Sequence, residues 1–368
     1  MHSRYWEKEN DIKQRLSERV ISYFIGKYVK TRYRLWMLRK ESNESRLNAE
    51  DLNRICLEHV VPVTSPLALI SEIQGSGGTL LSQLLDGHPE LHNHPHELMF
   101  KSPEKGIWSG IDLSDGPETW FEVLFEDPVQ EYNREGYKKR KEDRETFPYV
   151  FISSLQREIF LNYIDSIQSK TMRDILNAFM TSYFGAWLNN QNYSGKKIFI
   201  TAFSSELATK EKNMELFFET YPDGRLISLV RDPKSWFPFV RMHWPKRYAD
   251  VNLAVDQWND CALAMLSRQE KYGERVCLIE FEDLLGNTRA VMRCLSEFLG
   301  VEFDDILLTP TFNKFPSKAN MSFKVKDQVA INSSLQAEKA LTEHEADVIA
   351  EETSETYSLV RTASIRFE

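Results

Sequence analysis

LALISEIQGSGGTLLSQLL, from Leu67 to Leu85, is the stretch on which the reading of this 368-residue chain turns. An apolar strand, Leu67 to Ile73, runs into Gly75, Ser76, Gly77, Gly78 and Thr79, and a helix over Thr79 to Leu85 follows without a break. Glycines let backbone N–H groups approach and ring a phosphate, and the N-terminus of the following helix adds partial positive charge. A glycine-rich turn alone also serves as an ordinary tight connection. The strand–loop–helix setting is what points to phosphate binding.

Around that stretch, apolar runs alternate with longer helical patterns, the order that builds a parallel sheet covered by helices. Candidate strands are Leu67 to Ile73, Lys197 to Thr201, Arg225 to Val230 and Val276 to Phe281. Candidate helices include Thr79 to Leu85, Phe160 to Asn189, Glu211 to Thr220, Leu253 to Tyr272 and Thr288 to Leu299, with a last one opening at a cap of Thr342 with Glu345. Asp127 to Thr146 is so charged that it reads as an exposed loop or a solvated helix.

At 42% hydrophobic and 27% charged residues, the chain can bury a large core as one α/β domain with additions. No apolar run nears the ~20 residues that cross a bilayer, and the start MHSRYWEKEN is polar, so a soluble, cytoplasmic protein is expected. Cys56, Cys261, Cys277 and Cys294 form no Cys-x-x-Cys pair, and three of them lie in apolar stretches that suit buried thiols in a reducing compartment. The net charge of −9 is uneven. Residues 1–40 carry eleven Lys or Arg against four acids, which leaves the remainder near −16 and argues against nucleic acid as a partner of the main body. From Tyr5 to Lys40, Ile12, Leu16, Val20, Tyr23, Phe24 and Ile25 fall at roughly helical spacing, a face that suits the protein's own domain, another protein or an anionic membrane surface. Residues 41–55 are polar, so the expected division is a basic helical extension over 1–58 and a folded body over 59–368.

His88, His92, His94 and His96 fall within nine residues, a spacing that allows metal ligation. His88 precedes Pro89 and His94 precedes Pro95, which breaks any helix that would align them, so no metal is expected. Trp236, Trp244 and Trp258 suit a core or the lining of a cleft.

The loop is not a Walker A motif, because no Lys follows its last glycine. It resembles the 5′-phosphosulfate loop of the sulfotransferase family, where a Pro and a basic residue precede Ser-Gly-Thr-Thr. The likeness continues in order. LLSQLLDGHPELHNHPHEL resembles the family's Leu-Leu helix, His-Pro pair and following Glu, and YPDGRLISLVRDPKSW (Tyr221 to Trp236) its strand leading to Arg-Asp-Pro. RVCLIEFEDLLGNTRAVMRCLSEFLGVEF is similar to its Tyr-Glu-Asp-Leu element and Phe-Leu-Gly helix end, and PTFNKFPSKANMSFK to its nucleotide-covering C-terminal loop. The resemblance implies an α/β fold with a P-loop-like parallel sheet flanked by helices. It implies 3′-phosphoadenosine 5′-phosphosulfate as co-substrate without a metal, and sulfuryl transfer to a hydroxyl on a carbohydrate, lipid or small molecule. It assigns the donor's 5′ side to Gly75, Ser76, Gly77, Gly78, Thr79 and Leu80, the 3′-phosphate to Arg231, and the covering loop to Lys318, Asn320 and Ser322.

Two positions depart from that pattern: Gly75 stands where the family has its basic residue, and Phe239 where it has a Ser eight residues after the Arg. A charge-assisted contact in a dry site is worth on the order of 2–4 kcal/mol. Another cation is therefore expected in its place, Lys318 first, with Lys314, Lys324, Lys234 or Arg241 as alternatives, and an Arg put back at position 75 is expected to be tolerated. Ser235, one helical turn before Phe239, can cover the second loss. The acceptor hydroxyl needs a base, and the family places a His or Glu near the strand end after the loop helix; here that is His96 or Glu97, with Glu97 preferred. The departures leave open a nucleotide-binding or interaction protein with lost or altered catalysis. A kinase is disfavoured by the missing Walker A Lys and Mg²⁺-binding Ser/Thr. Acceptor choice is expected to lie in loops such as Lys101 to Arg144.

Overall fold

The computed structural model describes residues 49–98, 111–125, 137–138, 146–316 and 341–366. The chain divides into two compact units, residues 1–60 and 61–368. Of the first, one helix, α1 (Ala49–Glu58), is described; the basic stretch from Tyr5 to Lys40 lies outside the described residues. Among the described residues, no helix is long and apolar enough to cross a membrane.

The second unit is built on five parallel strands: β1 (Leu67–Glu72), β2 (Leu91–Glu97), β3 (Phe199–Phe203), β4 (Arg225–Val230) and β5 (Val276–Glu280). They lie side by side in the order β2-β3-β1-β4-β5. Their side chains divide by a period of two between two cores, as extended backbone dictates. Leu67, Leu69, Ile200, Ala202, Leu226, Val230, Val276 and Leu278 enter one core. Ala68, Ile70, Phe199, Phe203, Ile227, Leu229, Cys277 and Ile279 enter the other. Both faces are thus covered, which is why β1, β4 and β5 read as continuous apolar runs rather than alternating ones.

The second core is closed by α2 (Gly78–Leu85) through Leu80, Leu81, Leu84 and Leu85, and by a helix over Thr288–Leu299 through Val291, Met292, Leu295 and Leu299. Each such side chain contributes about 1.5–3 kcal/mol when fully buried. In chain order the remaining helices are α3 (Pro117–Leu124), α4 (Ser153–Asp165), α5 (Met172–Ala186), α6 (Glu211–Thr220), α7 (Pro233–His243), α8 (Val251–Tyr272) and α9 (Phe281–Gly286), then α10 (Thr288–Leu299) and α11 (Glu343–Ala363). The capping box of Thr342 with Glu345 opens α11 as expected.

Three sequence expectations change. The single helix expected over Phe160–Asn189 is two helices, α4 and α5, packed side by side, because Thr171 caps α5 reciprocally with Asp174. Residues 91–97 (LHNHPHE), which carry no apolar run, form strand β2, whose pairing with β3 shifts register between Asn93 and Glu97, around Pro95. Two cysteines rather than three are buried: Cys261 and Cys277, with Cys56 and Cys294 half-buried. Within Asp127 to Thr146, Tyr137–Lys138 pairs antiparallel with Thr146–Phe147, and the rest lies outside the described residues.

Candidate anion-binding site

In parallel α/β sheets, ligands gather outside the carboxyl ends of the strands, where the order reverses. Here the central strand β1 ends at Glu72 between β3 and β4, and residues 73–77 turn the chain into α2. Gly75 and Gly77 have φ of 85° and 98°, the left-handed region that favours glycine. There is also no room for side chains: a Cβ on Gly77 would overlap the Phe281 ring, and one on Gly75 would lie 3.0 Å from Phe239. The loop is therefore wrapped by aromatic rings, and an Arg at position 75 is not accommodated as expected. Trp236 donates to the Gln74 carbonyl at 2.7 Å, while Arg247 and the Tyr248 hydroxyl each donate to Gln74 Oε1 at 2.8 Å.

Glu72 lies inside this turn. Its Oε2 accepts the Gly78 N–H at 2.5 Å and its Oε1 the Gly75 N–H at 3.4 Å. Burial pushes its carboxyl up to about 7, with Glu97 adding to the rise and the Gly78, Gly75 and Ser76 N–H groups opposing it. The Ser76 N–H donates to Ile73 O at 3.0 Å, and the Ser76 hydroxyl is buried without a hydrogen-bond partner among the described residues. Thr79 is half-buried and Leu80 packs into the second core.

Arg231, the residue after β4, is 1% exposed. Its Nη1 donates to the Gly75 carbonyl at 3.3 Å and its Nε to Ser235 Oγ at 2.9 Å. The guanidinium sits 4.7 Å from the Phe239 ring centroid and 5.0 Å from that of Phe281. Ser235 donates in turn to Glu282 Oε1 at 2.9 Å, and the Asp232 N–H to Glu282 Oε2 at 3.2 Å. Burial lowers Arg231 to about 10 and raises Glu282 to about 7, each opposed by the other's charge. Arg231 and Ser235 are thus brought together with the loop, and Phe239, in place of the family's Ser, stacks on the guanidinium.

At the end of β2, Glu97 is half-buried and its Oε1 accepts the Ser205 N–H at 3.2 Å. His96 is turned the other way: its Nε2 is 3.1 Å from the Tyr183 hydroxyl, itself 2.6 Å from that of Tyr149. His88 Nε2 lies 2.8 Å from Glu302 O, and His92 stacks on Phe184, where burial drives it down to about 3. Trp236 and Trp258 are fully buried and Trp244 half-buried, so the first two are core.

The expected substitute cations are dispersed. Lys318, Asn320, Ser322 and Lys324 lie outside the described residues. Lys314 donates its backbone N–H to Asp86 and packs on Gly87, past the C-terminal end of α2, whose ~12 Å length at 1.5 Å per residue separates that end from the loop. Arg241 pairs with Glu345 of α11, and Lys234 is exposed. A cation that the sequence does not single out is Arg247, joined to Gln74 and, at 2.8 Å, to Glu206. Glu72, Glu282 and Arg247 are all absent from the sequence-derived set. The one available signal was a glutamate ending a mostly apolar strand directly before the loop.

The sulfotransferase family model matches residues 73–305, and the chain belongs to that family. Similar solved structures include the sulfotransferase domain from the Synechococcus PCC 7002 olefin synthase, at 17% identity and a TM-score of 0.43, covering 84% of this chain and 99% of that one. The sulfotransferase domain from the curacin biosynthetic pathway is 18% identical with a TM-score of 0.43, covering 80% and 99%. Mouse sulfotransferase SULT7A1 complexed with PAP is 12% identical with a TM-score of 0.36, covering 86% and 94%. No curated protein matches the chain.

Proposed function

We propose that this member of the sulfotransferase family transfers a sulfuryl group from 3′-phosphoadenosine 5′-phosphosulfate to a hydroxyl acceptor on a carbohydrate, lipid or small molecule. The supporting observation is the glycine loop at the end of the central strand, with the buried Arg231 hydrogen-bonded to its Gly75 carbonyl. In this reading Gly75, Ser76, Gly77, Gly78, Thr79 and Leu80 hold the donor's 5′ side with backbone N–H groups and the α2 dipole. Arg231 and Ser235 hold the 3′-phosphate, and Lys318, Asn320 and Ser322 cover the nucleotide. The donor supplies the sulfuryl group: its S–O bond to phosphate breaks as the acceptor oxygen bonds sulfur, and the bisphosphate leaves with the electron pair. Glu97, at the carboxyl end of β2, takes the acceptor's proton. His96 is less suited, since its Nε2 faces Tyr183. Lys318 supplies the positive charge that Gly75 lacks. A cytoplasmic setting, and a contact of the basic N-terminal stretch with its own domain, a protein or a membrane surface, belong to the same proposal.

A second reading, a nucleotide-binding or interaction protein with lost or altered catalysis, draws on one observation: position 75 has no room for a basic side chain beside Phe239. Thermal shift and transfer assays separate the two. Adenosine 3′,5′-bisphosphate at a hundredfold its Kd adds about 2.7 kcal/mol of stability under either reading. Labelled sulfuryl transfer to a hydroxyl acceptor supports the first, and binding without transfer supports the second. Stabilisation by ATP with Mg²⁺ instead of bisphosphate overturns both.

A further inference from the structure

The loop that would ring a phosphate already rings a carboxylate. The Gly75 and Gly78 N–H groups, which border the turn, both donate to Glu72. The intervening Ser76 N–H donates within the turn to Ile73 O and also favours the Glu72 carboxylate. Glu72 is 7% exposed and reaches the loop from the last residue of β1, so it fills the concavity from beneath rather than from solvent. The Ser76 hydroxyl in the same turn is buried with no hydrogen-bond partner among the described residues.

We propose that Glu72 is an internal anion seated in the loop's cradle, and that an external anion binds there only by displacing Glu72 with uptake of one proton. The inference rests on the reading that this loop holds the donor's phosphate. An external anion that draws on the Gly75 and Gly78 N–H groups cannot share them with the carboxylate, so the carboxylate has to leave. What it faces on leaving decides its charge. From β2 it faces Glu97, whose carboxylate repels it. From the end of β4 it faces Arg231, whose guanidinium is held by the Gly75 carbonyl and Ser235 and whose charge is divided among Glu282, Glu72 itself and Asp232. From the segment after β3, Glu206 donates its backbone N–H to the Glu72 carbonyl and directs its own carboxylate to Arg247 and Gln257. Among these neighbours Arg247 is spent on Gln74 and Glu206, and Arg231 is divided among three carboxylates, so no cation is left to Glu72 alone. A displaced carboxylate beside Glu97 and an incoming dianion takes a proton, and a carboxyl already held near 7 does so close to neutrality.

The probe is inorganic sulfate, titrated calorimetrically into the full chain at pH 6 and pH 8 in buffers of different ionisation enthalpy. About one proton is taken up per sulfate at pH 8 and close to none at pH 6, and affinity falls about tenfold per pH unit above 7. In Glu72→Gln and Glu72→Ala the uptake disappears, and sulfate binds at pH 8 about tenfold tighter than in the wild type. Glu97→Gln keeps the uptake, which assigns it to Glu72. Negligible uptake by the wild type at pH 8, the same pH slope in the Glu72 variants, or no sulfate binding by any protein at either pH overturns the proposal. Adenosine 3′,5′-bisphosphate separates this from the donor reading. Sulfate with proton uptake but no nucleotide binding sinks the donor reading alone, and nucleotide binding without proton uptake sinks the Glu72 proposal alone.

Discussion

Replacing Gly75 by arginine puts back the charge that related loops carry, and the structure gives a cost for it. The residue has φ of 85°, where any side chain other than glycine's costs about 1–2 kcal/mol. Its Cβ would lie 3.0 Å from one Phe239 ring carbon and 3.1 Å from another, with Val240 at 3.1 Å behind them. Overpacking of this kind costs about 1–3 kcal/mol. Gly75→Arg is therefore expected to destabilise the protein by about 3 kcal/mol. Phe239→Ser removes the ring that causes part of the clash, so in that background Gly75→Arg should cost only about 1.5 kcal/mol. Urea unfolding of the wild type, both single variants and the double variant gives the coupling directly. A Gly75→Arg variant within about 0.5 kcal/mol of wild type, or a cycle with no coupling, would mean that the loop does not pack on Phe239 in this conformation.

Three further outcomes follow from the same geometry. The folded Glu72 carboxyl, near 7, lies above its ordinary value of 4.5, so the folded state holds the extra proton between those values. Stability should then fall as pH rises from about 4.5 to 7 and level off above, and Glu72→Gln should remove on the order of 3 kcal/mol of that fall in urea titrations. Arg231→Ala strips the cation from beside Glu282 and should cost about 3–5 kcal/mol of stability as well as bisphosphate affinity; Glu282→Gln in the same chain should recover stability but not binding, and unchanged stability in Arg231→Ala would refute the pairing. Glu97→Gln should abolish sulfuryl transfer with bisphosphate affinity intact, whereas His96→Ala should act through stability by leaving the Tyr183–Tyr149 hydroxyl pair short of a partner; full transfer in Glu97→Gln places the base elsewhere.

The parts of the fold legible in the sequence are those where one local signal dominates. β1, β4 and β5 are buried on both faces and read as plain apolar runs, and α10 ends at Gly300, whose φ of 66° needs glycine. β2 was not legible because its burial is achieved by polar side chains. Asn93 Oδ1 accepts the Thr201 hydroxyl at 2.8 Å, and His94 and His96 pack against Tyr183. The break between α4 and α5 was written in Thr171 and Asp174, a capping pair outweighed by the hydrophobic pattern on either side. In the site, the loop glycines and Arg231 could be picked out because each lies in a short contiguous motif at the end of an apolar strand, although the contact between them spans 156 residues. Gln74 and Arg247 stand 173 residues apart, and Ser235 and Glu282 stand 47 apart, so neither pair leaves a local pattern. Lys314 sits at the wrong end of α2 for the cation role because the short strand after Thr309 docks on Asp86 through Thr311.

A crystal structure of the full chain with adenosine 3′,5′-bisphosphate would show whether the loop between Gly75 and Thr79 holds the donor's phosphate. The 5′-phosphate is expected within hydrogen-bonding distance, about 3 Å, of N–H groups between Gly75 and Thr79, with the Glu72 carboxyl turned out of the loop and the 3′-phosphate against Arg231 and Ser235. A nucleotide bound elsewhere while Glu72 keeps the Gly78 N–H would contradict that expectation.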